Sequence, residues 1–445
     1  MPAPTPPRLL VLFQGAWEDE ALQRRKNDGS LVLEREGFEI LSLRHAHRLV
    51  HFDAVRYAEL LAARYRGRVD GVWSNDDSFG CLLAAVVAQR LGLPGNPPTA
   101  IVRAQHKVLL REALAAAAPA ATVAATPLPF AFGDRRARDP RAIEAAVHGA
   151  GRTFPLFCKP VKGVFSGLAR RVADANELAQ HHRLSFVDRL MLRGSTRPWQ
   201  QLAGAALPLP CSVDRLILEE PMRGVQVNVD GYAESGALHV LGVVDEWMYG
   251  DEVAGARHFA GFTYPSRLAS DVLSRVRATA TAAVRAVGIT QGLWNVELFV
   301  QPDGAVRVIE INPRSAGQFA TLYLDVDGVD VEGLAIALAL GQAASSVPRA
   351  APVAGAAASF VFRRFDGTTG PVPDAASLAW LAHTHPRARM WLEHTKGRTL
   401  RREYRWFGSH RYAVLNHGAA DFAALQRDGA DCARRLFGAG ALPLP

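Results

Sequence analysis

Residues 292–317 constrain this chain more than any other stretch. Two runs of alternating apolar residues flank Pro302-Asp303-Gly304, and Asp-Gly between such runs is a strong hairpin signal. A two-residue loop at Asp303-Gly304 places Glu297 directly opposite Glu310. A four-residue loop from Gln301 to Gly304 makes the two carboxylates diagonal neighbours. In both registers they share a face, because strand side chains alternate with period two. The same parity carries Asn312 and Arg314 onto the face of Glu310, and turns Ile309 and Ile311 the other way.

Like charges across a strand pair repel unless something cationic lies between them. Two carboxylates and an amide oxygen suit a hard divalent ion, particularly where phosphate oxygens complete its shell. A solvated hairpin with two incidental acids is the bland alternative. It is the weaker one, because Glu, Asn and Arg collect on one face while Ile and Val take the other.

At 445 residues, nearly half of them apolar, the chain is long enough for two to four domains. No apolar run reaches the length of a membrane span, and Met1-Pro-Ala-Pro-Thr-Pro-Pro lacks the pattern of a signal peptide. The expectation is a soluble cytoplasmic protein with no membrane partner. Four scattered cysteines without a CxxC pair argue against a disulfide framework and against a zinc site. The net charge of +8 raises nucleic-acid binding, but the basic residues are dispersed, almost all are arginine, and no basic block carries interleaved aromatics.

The first hundred residues alternate strand and helix. Strands are expected at 8–13, 38–43 and 69–74, and helices near 18–36, 54–66 and 78–91. That rhythm indicates βαβ units and a mostly parallel sheet. Asp76-Asp77, at the end of the third strand, suit either a ligand site or a helix cap, with the two readings about even. A helix follows over about 99–117 and carries Lys107. A second α/β segment has a strand at 154–160. Residues 183–211 read as an insertion. Further strands are expected at 215–219, 226–232 and 238–243, with helices at 268–287 and 331–341. Beyond a Pro/Ala-rich stretch at 347–357 comes a smaller unit, with strands at 359–364 and 411–416 and a helix at 420–437.

Lys159-Pro-Val-Lys-Gly-Val-Phe-Ser-Gly is a strand-end lysine followed by a loop holding Gly163, Ser166 and Gly167. Glycines let backbone N–H groups approach a phosphate, which a nearby lysine neutralises. GxxxxGK[ST] is absent, so this is not a Walker A loop. Leu216-Ile-Leu-Glu-Glu-Pro-Met-Arg-Gly is an apolar strand ending in two acids, an edge able to meet an adenine. Each signal is weak alone, and their order is what is specific: helix lysine, strand lysine with glycine loop, Glu-Glu hinge, then Glu…Glu-x-Asn-x-Arg.

That series resembles the ATP-grasp superfamily over nearly the whole chain. The resemblance implies an α/β (α+β) ATP-grasp fold. Its parts would be a Rossmann-like N-terminal domain (1–104), an ATP-grasp domain (105–346, lid about 120–222) and a small C-terminal α+β domain (347–445). It implies ATP bound by Lys107, Lys159, the lid loop with Gly163, Ser166 and Gly167, and a hinge of Glu219, Glu220 and Met222, the last two through backbone groups. Gln226 stands where the family has an acid for the ribose. Glu297, Glu310 and Asn312 match ligands of Mg²⁺, with Mn²⁺ as a substitute, and Arg314 matches the catalytic arginine. Asp245, Glu246 and His258 fall in a segment that lines the substrate pocket in related ligases.

The implied chemistry is carboxylate activation: an acyl phosphate forms with release of ADP, and an amine then displaces phosphate. The Glu-x-Asn-Pro-Arg hairpin, residues 245–264 and the C-terminal unit are most similar to L-amino acid ligases, which make dipeptides. Small-molecule carboxylate and amine partners follow, amino acids first among them. A homodimer is compatible. The alternatives are a purine-pathway or biotin-carboxylase-like ligase, a non-catalytic nucleotide sensor, and a basic nucleic-acid binder.

Overall fold

The structure, a computed structural model, describes residues 5–38, 49, 51–163, 167–250 and 258–438. The first unit has three parallel strands, β1 (Arg8–Leu12), β2 (Val32–Glu36) and β3 (Gly71–Trp73), in the order β2-β1-β3. The second strand is therefore Val32–Glu36, inside the span expected to be helical. The helix Asp19–Asn27 stops earlier, where Asn27-Asp28-Gly29 favours a turn over a further helical turn. Of the expected strand at 38–43, only Phe38 lies within the described residues.

The expected helix over 99–117 is two helices, Pro98–Gln105 and Lys107–Ala117. His106 breaks them with an extended backbone, and its Nδ1 accepts the N–H of Leu109 at 3.4 Å. Burial holds this imidazole down to about pKa 4, so the ring is neutral and free to accept. The break makes Lys107 the first residue of a new helix and turns its ammonium toward the β-hairpin.

Four strands form the next sheet: β4 (Ala125–Ala131), β5 (Leu156–Pro160), β6 (Arg170–Val172) and β7 (Arg215–Glu219), in the order β4-β7-β5-β6. Between β6 and β7 lies the segment read as an insertion. It is largely one helix, Phe186–Ala206, opened by a capping box of Ser185 and Asp188. Its Trp199 and Leu202 are buried in the core that also holds Leu82 and Val102 of the first unit.

The largest sheet has eight antiparallel strands. They are β8 (Val225–Glu234), β9 (Ala237–Met248), β10 (Phe259–Tyr264), β11 (Gly292–Val300), β12 (Val306–Asn312), β13 (Ala356–Arg364), β14 (Arg389–Leu392) and β15 (His410–Ala419). Their order is β12-β11-β8-β9-β10-β13-β15-β14. The sheet runs through residue 347 without a break, so the C-terminal unit continues it instead of building its own. On one face Val227, Val229, Trp294, Val296 and Leu298 pack on the helix Ser270–Val287. Buried Val276, Ala280, Ala283, Val284 and Val287 of that helix recur at three- and four-residue steps. The opposite face of the same strands is polar.

Candidate active site

The polar face follows from the register. Glu297 pairs with Glu310 on one side and with Asn228 on the other, while Asn295 pairs with Asn312 and Asp230. The direct Glu297–Glu310 pairing does not come from a two-residue loop. The loop matches neither expected length: Val300 stands opposite Val306 instead of Ala305, leaving 301–305 between the strands, and a bulge between Glu297 and Leu298 in the pairing brings Glu297 opposite Glu310. This extra residue alters the expected parity: Val308 and Ile311 enter the core, whereas Ile309 is only half-buried.

The bulge also frees two carbonyls, and cations take both. Arg111 donates to Val308 O at 2.6 Å and to Ile309 O at 3.0 Å, and Lys159 donates to Ile309 O at 3.2 Å. Lys107 stands 3.3 Å from Glu310. Lys107, Arg111, Lys159 and Lys162 are all at most 6 % exposed. Lys107 pairs with Glu310, Arg111 and Lys159 with Glu219, and Lys162 with Asp77, so four buried cations gather beside the two facing acids.

The two central acids are held apart in charge. Burial pushes the Glu297 carboxyl well above the carboxylate range, and Glu310 and Glu246 nearby add to it. Burial also acts on Glu310, but Lys107 and Lys159 reverse it and hold that group below its usual value. Asn312 donates from Nδ2 to Asn295 Oδ1 at 2.9 Å and to Glu297 Oε1 at 3.2 Å. Two carboxylates and an amide are a hard-oxygen donor set. The residues therefore fit a divalent ion of the magnesium type.

Of the two readings left open for Asp76-Asp77, the helix cap is the one seen. Asp76 caps the helix Gly80–Leu91, its Oδ2 accepting from Phe79 and Gly80 N–H at 3.0 and 2.8 Å. Asp77 is a hub. Its carboxylate accepts from Gln105 at 2.6 Å and stands 3.8 Å from Lys162 and 3.5 Å from Arg314, while its carbonyl accepts from Lys162 at 2.7 Å. Burial works against the Arg314 charge, but Asp77 and the neighbouring acids keep its pKa raised. Trp199, on the segment read as an insertion, donates to Gln105 at 2.6 Å and lies under Lys162.

Glu219 and Asp245 face elsewhere than expected, and the other expected residues lie as follows. Glu219 is fully buried and directed at Arg111 (2.8 Å) and Lys159 (2.9 Å), inside the protein rather than at an adenine edge. Burial alone would raise its pKa, yet Arg111 and Lys159 bring it to about 2. The Glu220 N–H is taken by Ala124 O at 3.3 Å. Met222 lies half-buried on the linker to β8, just before Gly224, where a Cβ would stand 2.0 Å from Val300 O. Gln226 begins the polar face of β8, opposite Glu246. Glu246 accepts from Asn228 at 3.1 Å and so joins the acidic group. Asp245 points away from it, on the face of Val243, and its carboxylate accepts from Ser266 and from the Arg267 N–H. His258 contacts Phe365 and Ser409, and burial beside Arg363 lowers its pKa to about 4. Gly163 and Gly167 are the described residues on either side of 164–166, and Ser166, expected in a lid loop, lies outside the described residues.

Arg111, Lys162 and the Asn228–Asp230–Asn295 group were given no site role on sequence. The spacing of Lys107 and Arg111 was a usable signal, since residues four apart share a helix face. Gln226, Asn228 and Asp230 at alternate positions of an apolar strand were another.

Residues 152–322 match the profile of an ATP-grasp domain. Carnosine synthase 1 of Gallus gallus is 29% identical over 321 residues, covering 69% of this chain and 31% of that protein. D-alanine–D-alanine ligase of Bifidobacterium animalis subsp. lactis is 29% identical over 216 residues, 46% of this chain and 52% of the enzyme. The chain thus spans about a third of the length of the carnosine synthases it matches. Among solved structures, an L-amino acid ligase from Bacillus licheniformis superposes with a TM-score of 0.67 at 17% identity, covering 98% of both chains. The fold is that of ATP-grasp proteins, and the chain carries an ATP-grasp domain. No helix of the described residues is long and apolar enough to cross a membrane.

Proposed function

We propose that this chain is an ATP-dependent carboxylate–amine ligase that joins amino acids through an acyl phosphate, releasing ADP and phosphate. The observation that carries this reading is the convergence of Glu297, Glu310 and Asn312 with Lys107, Lys159, Lys162 and Arg314 on one wall. A nucleotide sensor needs phosphate cations. It does not need an arginine held on an aspartate hub beside two facing carboxylates.

Phosphoryl transfer is helped chiefly by positioning and charge neutralisation. Lys107 and Lys159, buried and anchored by Glu310 and Glu219, serve the ATP phosphates. Gly163, Ser166 and Gly167 cover them, and Glu220 and Met222 meet the adenine with Gln226 at the ribose. Glu297, Glu310 and Asn312 would hold Mg²⁺, or Mn²⁺ in its place, which neutralises phosphate charge when bound. Arg314 offers a planar fork to the substrate carboxylate and then to the oxyanion formed as the amine attacks. Its hold on Asp77 fixes that fork before substrate arrives. Glu246, which joins the acidic group through Asn228, is the candidate for the amino-acid side of the pocket, with His258 further along the same segment.

Amino acids as both substrates are supported by what the relatives are named for, dipeptide-forming ligases among them. ADP release measured over single amino acids and pairs, with product mass spectrometry, tests the reading. Magnesium-dependent ADP formation with one pair, and a product lighter than the two substrates by one water, is expected. No ADP with any pair removes it.

A further inference from the structure

The C-terminal unit brings two imidazoles and a carboxylate to one point, and none of the three belongs to the site above. His385 follows the helix Ala375–Thr384, His417 lies on β15, and Asp428 lies on the last helix, Phe422–Phe437. One ligand-capable atom of each falls within 4.8 Å of the others. Nε2 of His417 stands 3.0 Å from Oδ2 of Asp428. Two ligands of one tetrahedral ion with bonds of about 2.0–2.1 Å are about 3.3 Å apart. The His385 ring meets the His417 ring edge to face, with centroids 4.6 Å apart.

His417 is 8 % exposed, and its Nδ1, shut off from solvent, has no hydrogen-bond partner among the described residues. Buried polar atoms ordinarily find one; the ring's other nitrogen, Nε2, is the one that faces Asp428. The sequence spacing that spoke against zinc concerned cysteines. Here the ligands come from three separate elements, which no local pattern reveals.

We propose that His385, His417 and Asp428 bind a divalent transition ion of the zinc class, with two imidazole nitrogens and one carboxylate oxygen as protein ligands and water as the fourth. Imidazole ligands favour such an ion over Mg²⁺, so this site is chemically distinct from the Glu297–Glu310 pair. The bound ion ties the last helix and the loop at His385 to β15. The residue before His417, Asn416, donates to Gln318 O at 2.6 Å and to Thr321 at 2.8 Å. The ion therefore braces the strand that holds the segment following Arg314.

The test uses the whole chain, stripped with a chelator, dialysed free of it and held in saturating Mg²⁺ so that hard-oxygen sites are filled. Zn²⁺ is titrated against a chromophoric chelator, and Co²⁺ is followed by its visible absorption. One tight Zn²⁺ per chain, and the strong visible bands of four-coordinate Co²⁺, are expected. His385→Ala and Asp428→Asn should each weaken Zn²⁺ binding by more than about a hundredfold, since losing a direct ligand exceeds the 10–100-fold cost of losing an outer-shell partner. Glu310→Gln should leave Zn²⁺ binding unchanged. His385 is half-exposed and Asp428→Asn keeps its shape, so folding is checked on both by circular dichroism. Absence of stoichiometric Zn²⁺ binding in the wild type, or unchanged binding in folded His385→Ala, overturns the proposal.

Discussion

Glu219→Gln separates two roles for one carboxylate. Sequence order placed it at the adenine, whereas the structure buries it completely between Arg111 and Lys159. As an internal anchor it holds two cations that are at most 6 % exposed. Removing its charge leaves both uncompensated, a loss of about 3–5 kcal/mol for a broken buried pair. The pKa gives an independent figure: a fall from 4.5 to about 2 corresponds to about 3 kcal/mol at neutral pH. Because the folded value is depressed, this stability is present above pH 4.5 and is lost as pH falls toward 2. The difference between wild type and variant should therefore be full at pH 7 and shrink below pH 4.5. Spread over an unfolding entropy of about 2.1 cal/mol/K per residue, the loss lowers Tm by about 3–5 °C if the chain melts as one unit. Denaturant unfolding measures the energy. KM for ATP and for its 6-keto analogue measures the role. An anchor that positions Lys159 raises both KM values together and leaves their ratio unchanged. A stability loss below about 1 kcal/mol, or a selective loss of preference for the 6-amino group, refutes the anchor.

Glu310→Gln should lower kcat by at least about 10²–10³-fold, the scale of one lost electrostatic group at a transition state; near-normal turnover in steady-state assays would remove its assignment. Asp77→Asn should loosen Arg314 and Lys162 together and cost about 10²-fold in kcat/KM, as small misplacements at a reacting centre do, with folding unchanged by circular dichroism. Asp230 is held at about pKa 6 by burial, so its folded value is raised and its contribution to stability is lost as pH rises from about 4 to above 6. Asp230→Asn should therefore gain up to about 3 kcal/mol relative to wild type between pH 4 and pH 8, measured by urea unfolding at both values.

Much of the site was legible because its residues follow simple periodicities. Alternation alone put Glu297, Glu310 and Asn312 together, and the structure shares them on one face. What alternation could not show was the bulge, because an extra residue in one strand depends on the partner strand and leaves no local mark. That bulge is what presents the Val308 and Ile309 carbonyls to Arg111 and Lys159. The His106 break was hidden similarly: residues 98–117 have helical composition throughout, and a buried contact of its Nε2 to Cys211 O at 3.3 Å holds the break. In the first unit, Val32–Glu36 carries three charged residues of five and reads as helix surface, but pairing with β1 makes it a strand. Residues 186–206 resisted reading because Pro198 lies inside the helix. Long-range contacts decide these cases.

The most direct test of the proposed chemistry follows oxygen. With an amino-acid pair that supports ADP release, the activated carboxylate is supplied labelled with ¹⁸O and the released phosphate is analysed by mass spectrometry. Attack of that carboxylate on the γ-phosphate, followed by amine displacement, must leave one carboxylate oxygen on phosphate, so labelled phosphate should appear in step with ADP. Unlabelled phosphate, or release of AMP and pyrophosphate in place of ADP, would contradict the acyl-phosphate mechanism.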